Sequence, residues 1–595
     1  MDFGRRSAIL LSEGGAGGTP AKAMHAKTLS TWKMFWFIFI GYWCSEKKWE
    51  ARGLLSLVVL LNFAMVYLLV RFNTWQKEFF GMFEIADYSM FWPFIGEFAV
   101  IAFLFIFIAA NSLYLQELLR LRWRIWLTNV YLKKWLDRQS YYRLQVLGSD
   151  TDNPDQRISE DVGSFARLTL ELLIGFLRKL TSLVAFSLIL WDLSGVLPIT
   201  IGSTTFVIHG YMFWACLLYC LVGTYLAHLV GQKLIPLKYD QQKYEANFRF
   251  SMMRVRENSE SIAFYGGEKM ELVSFGEYFG HCVSNYLQLI HRHKLLSFYT
   301  NSYDQSAALM PILMSAPRLF AGTFQIGQFM QLTHAFASVK DALSFFVSSY
   351  STIASLAAVV QRLGLFTEHI DQSHALQNGV QHSAGKAESF AVHDLTVALP
   401  DGRVLMEKCS LRLERGDRLL LTGPSGCGKS TLLRSLSGIW PFGQGRVEYA
   451  RDEQILFLPQ RPYLPLGSLR RAISYPLQEL GDAEIIEVLQ AVELPELISR
   501  LDQDDDWSRI LSLGEQQRMA FARVLLVKPR WVFLDEATSA LDEERERAMY
   551  RLLQSRLPET GIVSVGHRST LFALHHTELK MSGRHWRLGP IVQPV

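Results

Sequence analysis

The chain has 595 residues, of which 50% are hydrophobic, 13% aromatic and only 19% charged, with a net charge of +4. That length exceeds one ordinary domain, and so small a charge gives no case for a nucleic-acid partner. Six cysteines without a CxxC pair offer neither a zinc site nor a disulfide framework.

The apolar excess is uneven. Long hydrophobic runs fill the first two thirds, and the last third reads as an α/β protein. Residues 1–30 lack a long apolar segment and a cleavage site, so they are expected to form a disordered cytosolic tail. Residues 31–365 read as a transmembrane domain. It opens on "TWKMFWFIFIGYW", whose Trp and Phe residues suit a helix lying in the membrane interface. A span needs about 20 apolar residues. Six segments are expected to cross: Gly53–Val70, Phe91–Ala110, Leu172–Trp191, Phe206–Leu226, Phe298–Phe320 and Gln328–Ala354. Cys216 and Cys220 lie one turn apart in the fourth, where packing is the simplest role.

Loop charge sets the orientation. The connections after the second span (Arg120 to Arg143) and after the fourth (Lys233 to Lys269) are rich in Lys and Arg. "WDLSGVLPITIGSTT", between spans three and four, has neither, which places both termini in the cytoplasm. The two long connections are expected to be helical extensions of the spans, each holding a distinctive turn: Ser149–Val162 and Glu257–Glu271, the latter breaking at Gly266-Gly267. Ionisable residues in or near spans are candidates for a polar route: Glu97, Glu171, Asp304, Arg318, Lys340 and Asp341, with Glu97 and Asp304 foremost.

Residues 366–387 read as a polar linker into a cassette over 388–595. There, the apolar strand Leu419–Leu421 runs into Gly423-Pro424-Ser425-Gly426-Cys427-Gly428-Lys429-Ser430-Thr431, followed by an amphipathic helix. This is a P-loop in its required strand–loop–helix setting. Backbone N–H groups and the helix N-terminus receive phosphate oxygens, Lys429 reaches the β/γ phosphates, and Ser430 ligates Mg²⁺. A second apolar strand, Trp531–Leu534, ends in Asp535 and Glu536. Asp535 suits the metal, and Glu536 suits the general base that polarises the attacking water. Gln460 and His567 each end a further strand, where Gln460 senses metal and water and His567 contacts the γ-phosphate.

These parts resemble the ATP-binding-cassette transporter superfamily over most of the chain. The P-loop, Gln460, the signature loop "LSLGEQ" (Leu511–Gln516), Asp535 and Glu536, "SALD" (Ser539–Asp542) and His567 occur in the order that superfamily has. The resemblance implies an all-α six-span membrane domain of exporter-like type joined to an α/β cassette. It also implies a homodimer in a lipid bilayer, in which Ser512, Gly514 and Glu515 of one cassette cap ATP held by the other. "NPDQRISEDV", "IAFYGGE", "LPQRPYLPLGSLRRAISYP" and "LSLGEQQR" look like the group that joins D-type half-transporters to bacterial relatives, among them SbmA/BacA-type and mycobacterial-type cobalamin and peptide importers. "LDEATSALD" looks bacterial. The expected activity is ATP-driven uptake of a small hydrophilic molecule such as cobalamin, or of peptides. The alternatives are a long-chain acyl or acyl-CoA transporter and an ATP-sensing membrane protein of weak turnover. The superfamily's adenine-stacking aromatic falls near Leu399, where this chain has none; Phe390 is the nearest substitute.

Overall fold

The computed structural model describes residues 31–85, 88–147, 153–201, 204–376, 379–385, 389–450, 454–477 and 480–591. The tail expected over 1–30 and the start of the Ser149–Val162 turn lie outside these residues. The chain divides into two compact units, residues 1–133 with 152–367 and residues 134–151 with 368–595.

The first unit is mainly helical. Among the described residues, four helices are long and apolar enough to cross a membrane: Lys48–Glu84, Tyr88–Val146, Pro154–Ser194 and Tyr211–Glu257. Six had been expected, and the last two do not qualify. Glu268–Phe320 is one continuous helix, but Pro311 and Pro317 interrupt its ladder and it is more polar than the other four. The segment expected as a single sixth span breaks at Ser344 and Ser349 into Ile326–Leu343, Phe345–Ser348 and Tyr350–Ala375. The all-α expectation also fails locally, because Val196–Ile201 and Thr204–His209 form an antiparallel hairpin where a plain external turn was expected. β-Branched residues on both sides of a Gly-Ser pair favour that outcome over helix. The expected fourth span accordingly starts at Tyr211, not Phe206.

Ile326–Leu343 sits at the centre of this unit, packed on Lys48–Ile85, Val162–Ser194, Tyr211–Gly231 and Glu268–Phe320. Gln325 and Gln328 close a capping box that starts it. A Cβ on Gly327 would lie 2.1 Å from the Lys77 carbonyl oxygen, so only glycine permits that helix approach. Leu332, Ala335, Phe336 and Val339 meet Phe186, Leu190, Met212, Cys216 and Cys220 in one apolar cluster, which accounts for both cysteines as packing residues. The polar groups find partners. Glu97 pairs with Arg71 and Asp341 with Lys179, Asp304 accepts from Lys340 Nζ at 2.7 Å, and Arg318 donates to the Ser194 carbonyl at 2.7 Å. The Thr31–Trp43 helix stacks Tyr42 on Trp123 (5.6 Å, 13°) and leaves Trp32 65% exposed, as an interfacial helix does. The long connections are helical, and Gly266 at φ 60° makes the expected break before Glu268.

Among the described residues, the second unit has a six-stranded sheet, a four-stranded sheet and a short two-stranded pair, Gly467–Ser468 with Asp504–Asp505. Six strands run in the order His585–Pro590, Thr577–Ser582, Arg418–Thr422, Gly561–Val565, Trp531–Asp535, Ile455–Leu458, all neighbours parallel except the first pair. The three central parallel strands, Arg418–Thr422, Gly561–Val565 and Trp531–Asp535, are buried on both faces, which is why they read as largely apolar runs. A smaller sheet orders Val380–Gly385, Gly443–Ala450, Phe390–Ala398 and Val404–Leu413. Much of the stretch expected as a linker is therefore regular structure: helix as far as Ala375, then a strand paired with Gly443–Ala450 from Val380. Residues 134–151 also belong to this unit. Ser140 Oγ lies 2.6 Å from His374 Nε2, Arg143 donates to the Ser373 carbonyl at 3.3 Å, and Val146 packs on the apolar core between the sheets.

Candidate active site

In a parallel sheet, ligands bind beyond the carboxyl ends of the strands. Four adjacent strands here deliver four loops to that edge: Arg418–Thr422 the P-loop, Gly561–Val565 the loop of His567, Trp531–Asp535 the acid pair, and Ile455–Leu458 the loop of Gln460. The register aligns Leu421 with Val565, Val565 with Asp535, and Leu534 with Leu458. Side chains far apart in sequence thus converge.

The P-loop backbone turns at Gly423 (φ 148°), Gly426 (φ 78°) and Gly428 (φ 103°). A Cβ on Gly423 would stand 2.6 Å from the Met581 carbonyl oxygen, so this position needs glycine for both space and φ. Helix Lys429–Leu436 starts at the loop's end and takes in Ser430 and Thr431. Lys429 is buried, and its Nζ donates to the carbonyls of Gly423 (2.9 Å) and Pro424 (3.0 Å), which holds the ammonium over the loop. Pro424, Ser425 and Cys427 complete the turn, with the Cys427 thiol free and half-buried. Alkylation there would fill the phosphate cradle. Thiol reagents are expected to inhibit ATP turnover in a Cys44→Ser background and to spare the Cys427→Ala variant; full inhibition of that variant would defeat the expectation.

Ser430 Oγ donates to Asp535 Oδ1 at 3.0 Å. Burial pushes the Asp535 carboxyl above its usual range, against the Ser430 hydrogen bond, while Glu536 beside it pushes the same way as burial. A divalent cation at this point would relieve that cost. Ser hydroxyl, carboxylate and the Gln460 amide are hard oxygen donors, which fit Mg²⁺ with phosphate and water completing its shell. Glu536 follows at φ 50°, a left-handed conformation uncommon for a non-glycine residue. That turn brings its carboxylate to Gln460 Nε2 (3.1 Å) and within 4.0 Å of His567 Nε2. Asp535, Glu536, Gln460, His567 and Ser430 therefore form one linked group.

The signature residues are elsewhere in the unit. Ser512 caps helix Leu513–Val527 in a reciprocal box: Glu515 N donates to Ser512 Oγ (3.4 Å), and Glu515 Oε2 accepts from Ser512 N (2.8 Å) and Oγ (2.7 Å). Glu515 thus directs its carboxylate to its own cap. Gly514 packs against the Ala540 carbonyl, 3.3 Å from where a Cβ would be. Among the described residues, no hydrogen bond joins Ser512, Gly514 or Glu515 to residues 423–431.

Phe390 is not free to stack on a base. It is fully buried in the smaller sheet, with ring centroids 5.3 Å from Phe533 and 5.6 Å from Trp531. Phe390, Ala391 and Val392 are all buried, so the continuous apolar run at the start of this strand was the signal for an inward position. Leu399 sits at the tight turn to Arg403, and Leu405 is the apolar side chain nearest Gly428.

Sequence reasoning missed a buried polar layer behind these loops. Glu546 accepts from Thr538 Oγ1 (2.6 Å) and from Thr570, while Arg568 donates to the carbonyls of Ser539 (2.8 Å) and Leu541 (2.5 Å). Tyr550 donates to Ser564, which also meets His575 Nε2 at 2.8 Å. Burial pushes His575 down to about 4 from an ordinary 6.5. The unfolded chain therefore takes up a proton near pH 6.5 that the folded one refuses. The stability from this neutral His is full above 6.5 and is lost as pH falls toward 4, by about 3 kcal/mol in the limit. Between pH 7 and 5, His575→Phe should flatten the fall in melting temperature of the full chain; an unchanged slope would contradict this assignment.

A helical membrane region followed by this arrangement of phosphate loop, acid pair and signature helix defines an ATP-binding-cassette transporter, and the chain belongs to that family. Residues 40–320 match the family description "ABC transporter transmembrane region 2" and residues 406–539 match "ABC transporter". It is similar to the inner membrane ABC transporter ATP-binding protein YddA of Escherichia coli, with 33% identity over 90% of this chain and 94% of that protein. It is also similar to the chloroplastic ABC transporter D family member 2 of Arabidopsis thaliana (33%, 96% and 89%) and to the human lysosomal cobalamin transporter ABCD4 (29%, 79% and 82%). The protein is an integral membrane half-transporter, an ATPase coupled to transport, related to the D-type group.

Proposed function

We propose that two copies of this chain form a bacterial inner-membrane importer for a hydrophilic cargo, cobalamin-like or peptidic, with both termini cytoplasmic and two composite ATP sites. The observation that carries it is the junction of Gln460, Glu536 and His567 at the strand ends beside Ser430 and Asp535. Lys429 and the P-loop amides hold the β and γ phosphates. Ser430, Asp535 and Gln460 would hold Mg²⁺, which when bound would neutralise phosphate charge. Glu536 accepts the proton of the attacking water, and His567 and Gln460 orient both. Ser512, Gly514 and Glu515 belong to the ATP site of the other copy, consistent with their separation from their own P-loop. Of these, Ser512 and the amides that follow supply the contact, because the Glu515 carboxylate serves the cap.

Cargo polarity is supported by the ion pairs of Glu97, Asp304, Lys340 and Asp341. The cobalamin transporter among the relatives points the same way. Purified protein in liposomes, given cobalamin, a peptide or a long-chain acyl-CoA, tests the reading. ATP-dependent accumulation of either of the first two supports it. Movement of acyl-CoA alone would replace the cargo, and ATP binding without turnover would replace the transporter by a sensor.

A further inference from the structure

We propose that Gln517 is a positioning residue that couples the two ATP sites of the dimer, by tying the Gln460 loop of one site, together with the Ser539–Asp542 loop, to the signature helix that serves the other. The proposal rests on the composite-site reading above and goes beyond it.

Gln517 stands on helix Leu513–Val527, two residues beyond the capping Glu515, and is fully buried. A buried amide must satisfy both its ends. Here Nε2 donates to the Gln460 carbonyl at 3.1 Å and to Ser539 Oγ at 3.2 Å, and Oε1 accepts from Ala540 N at 3.0 Å. One planar group therefore fixes three segments that are separate in sequence. Gln460 in turn donates to Glu536, the proposed base of its own site. On the far side, Arg568 grips the Ser539 and Leu541 carbonyls from the residue next to His567. Displacement of the signature helix when it closes on the partner's ATP is thus passed by hydrogen bonds, without slack, to Gln460 and so to Glu536. No other residue type supplies this: Glu lacks the donor that the Gln460 carbonyl requires, and Met has the length but no polar atoms.

The test uses the full-length dimer in lipid nanodiscs, with turnover measured against ATP concentration for wild type, Gln517→Met and Gln517→Glu. Both variants are expected to lose about tenfold in kcat. Their KM for ATP should stay within about threefold of wild type, and the Hill coefficient should fall from above one to one. Melting temperatures are measured in parallel. Variants that keep the wild-type Hill coefficient overturn the proposal, whether or not turnover falls with stability. A wild type that hydrolyses ATP as a monomer, without cooperativity, removes the composite-site reading and this inference with it. A cooperative wild type with equally cooperative variants removes only the role of Gln517.

Discussion

Replacing Glu536 with Gln is expected to lower ATP turnover by at least about 100-fold while leaving ATP bound, because a positioned general base contributes factors of this order. The amide keeps the size of the carboxylate and the contact with Gln460 but cannot take a proton from water. Glu536 is held for this task by three features: the strand Trp531–Asp535 that delivers it, its φ of 50°, and a bond from its backbone N to the Val565 carbonyl at 3.2 Å. The variant should accumulate an ATP-bound closed dimer, detectable as nucleotide retained through gel filtration. Turnover within about threefold of wild type would assign the base to another residue.

The second large effect is on binding. Lys429→Met should weaken ATP affinity by at least about 30-fold, since removing one partner of a buried charge-assisted contact costs about 2 kcal/mol or more. Lys429 is only 6% exposed, so water compensates little. A fluorescent ATP analogue titrated onto the detergent-purified protein reads the change. Affinity equal to wild type would mean that phosphate is held by the loop amides alone.

The site was far more legible in sequence than its surroundings. Gly423 to Ser430 announce themselves because glycines and a lysine at that spacing after an apolar strand have few other uses. Asp535, Glu536, Gln460 and His567 were readable as strand ends, although the strand order that makes them neighbours was not, since sequence carries no direct mark of which strands pair. Gln517 was invisible for a different reason. A glutamine in a helix ordinarily faces solvent, and only the arrival of Gln460 and Ala540 from distant segments gives it partners. Polarity blurred the membrane half, where the last helices carry Lys294, Asn301, Asp304 and Lys340. The hairpin at Val196–His209 had its signal in "VLPITI" and "TTFVIH" and was read only for its missing charge. The apolar run that buries Phe390 was likewise present and outweighed by the search for an aromatic near the nucleotide.

The pairing of two cassettes is the central claim, and a disulfide trap measures it directly. In a Cys44→Ser background, Ser512→Cys is introduced so that it meets the Cys427 thiol of the partner subunit, with Glu536→Gln holding the closed state. A cross-linked dimer should form with ATP, be absent without nucleotide, and disappear when Cys427 is replaced by Ala. A cross-link confined within one chain, or a dimer that forms equally without ATP, would contradict it.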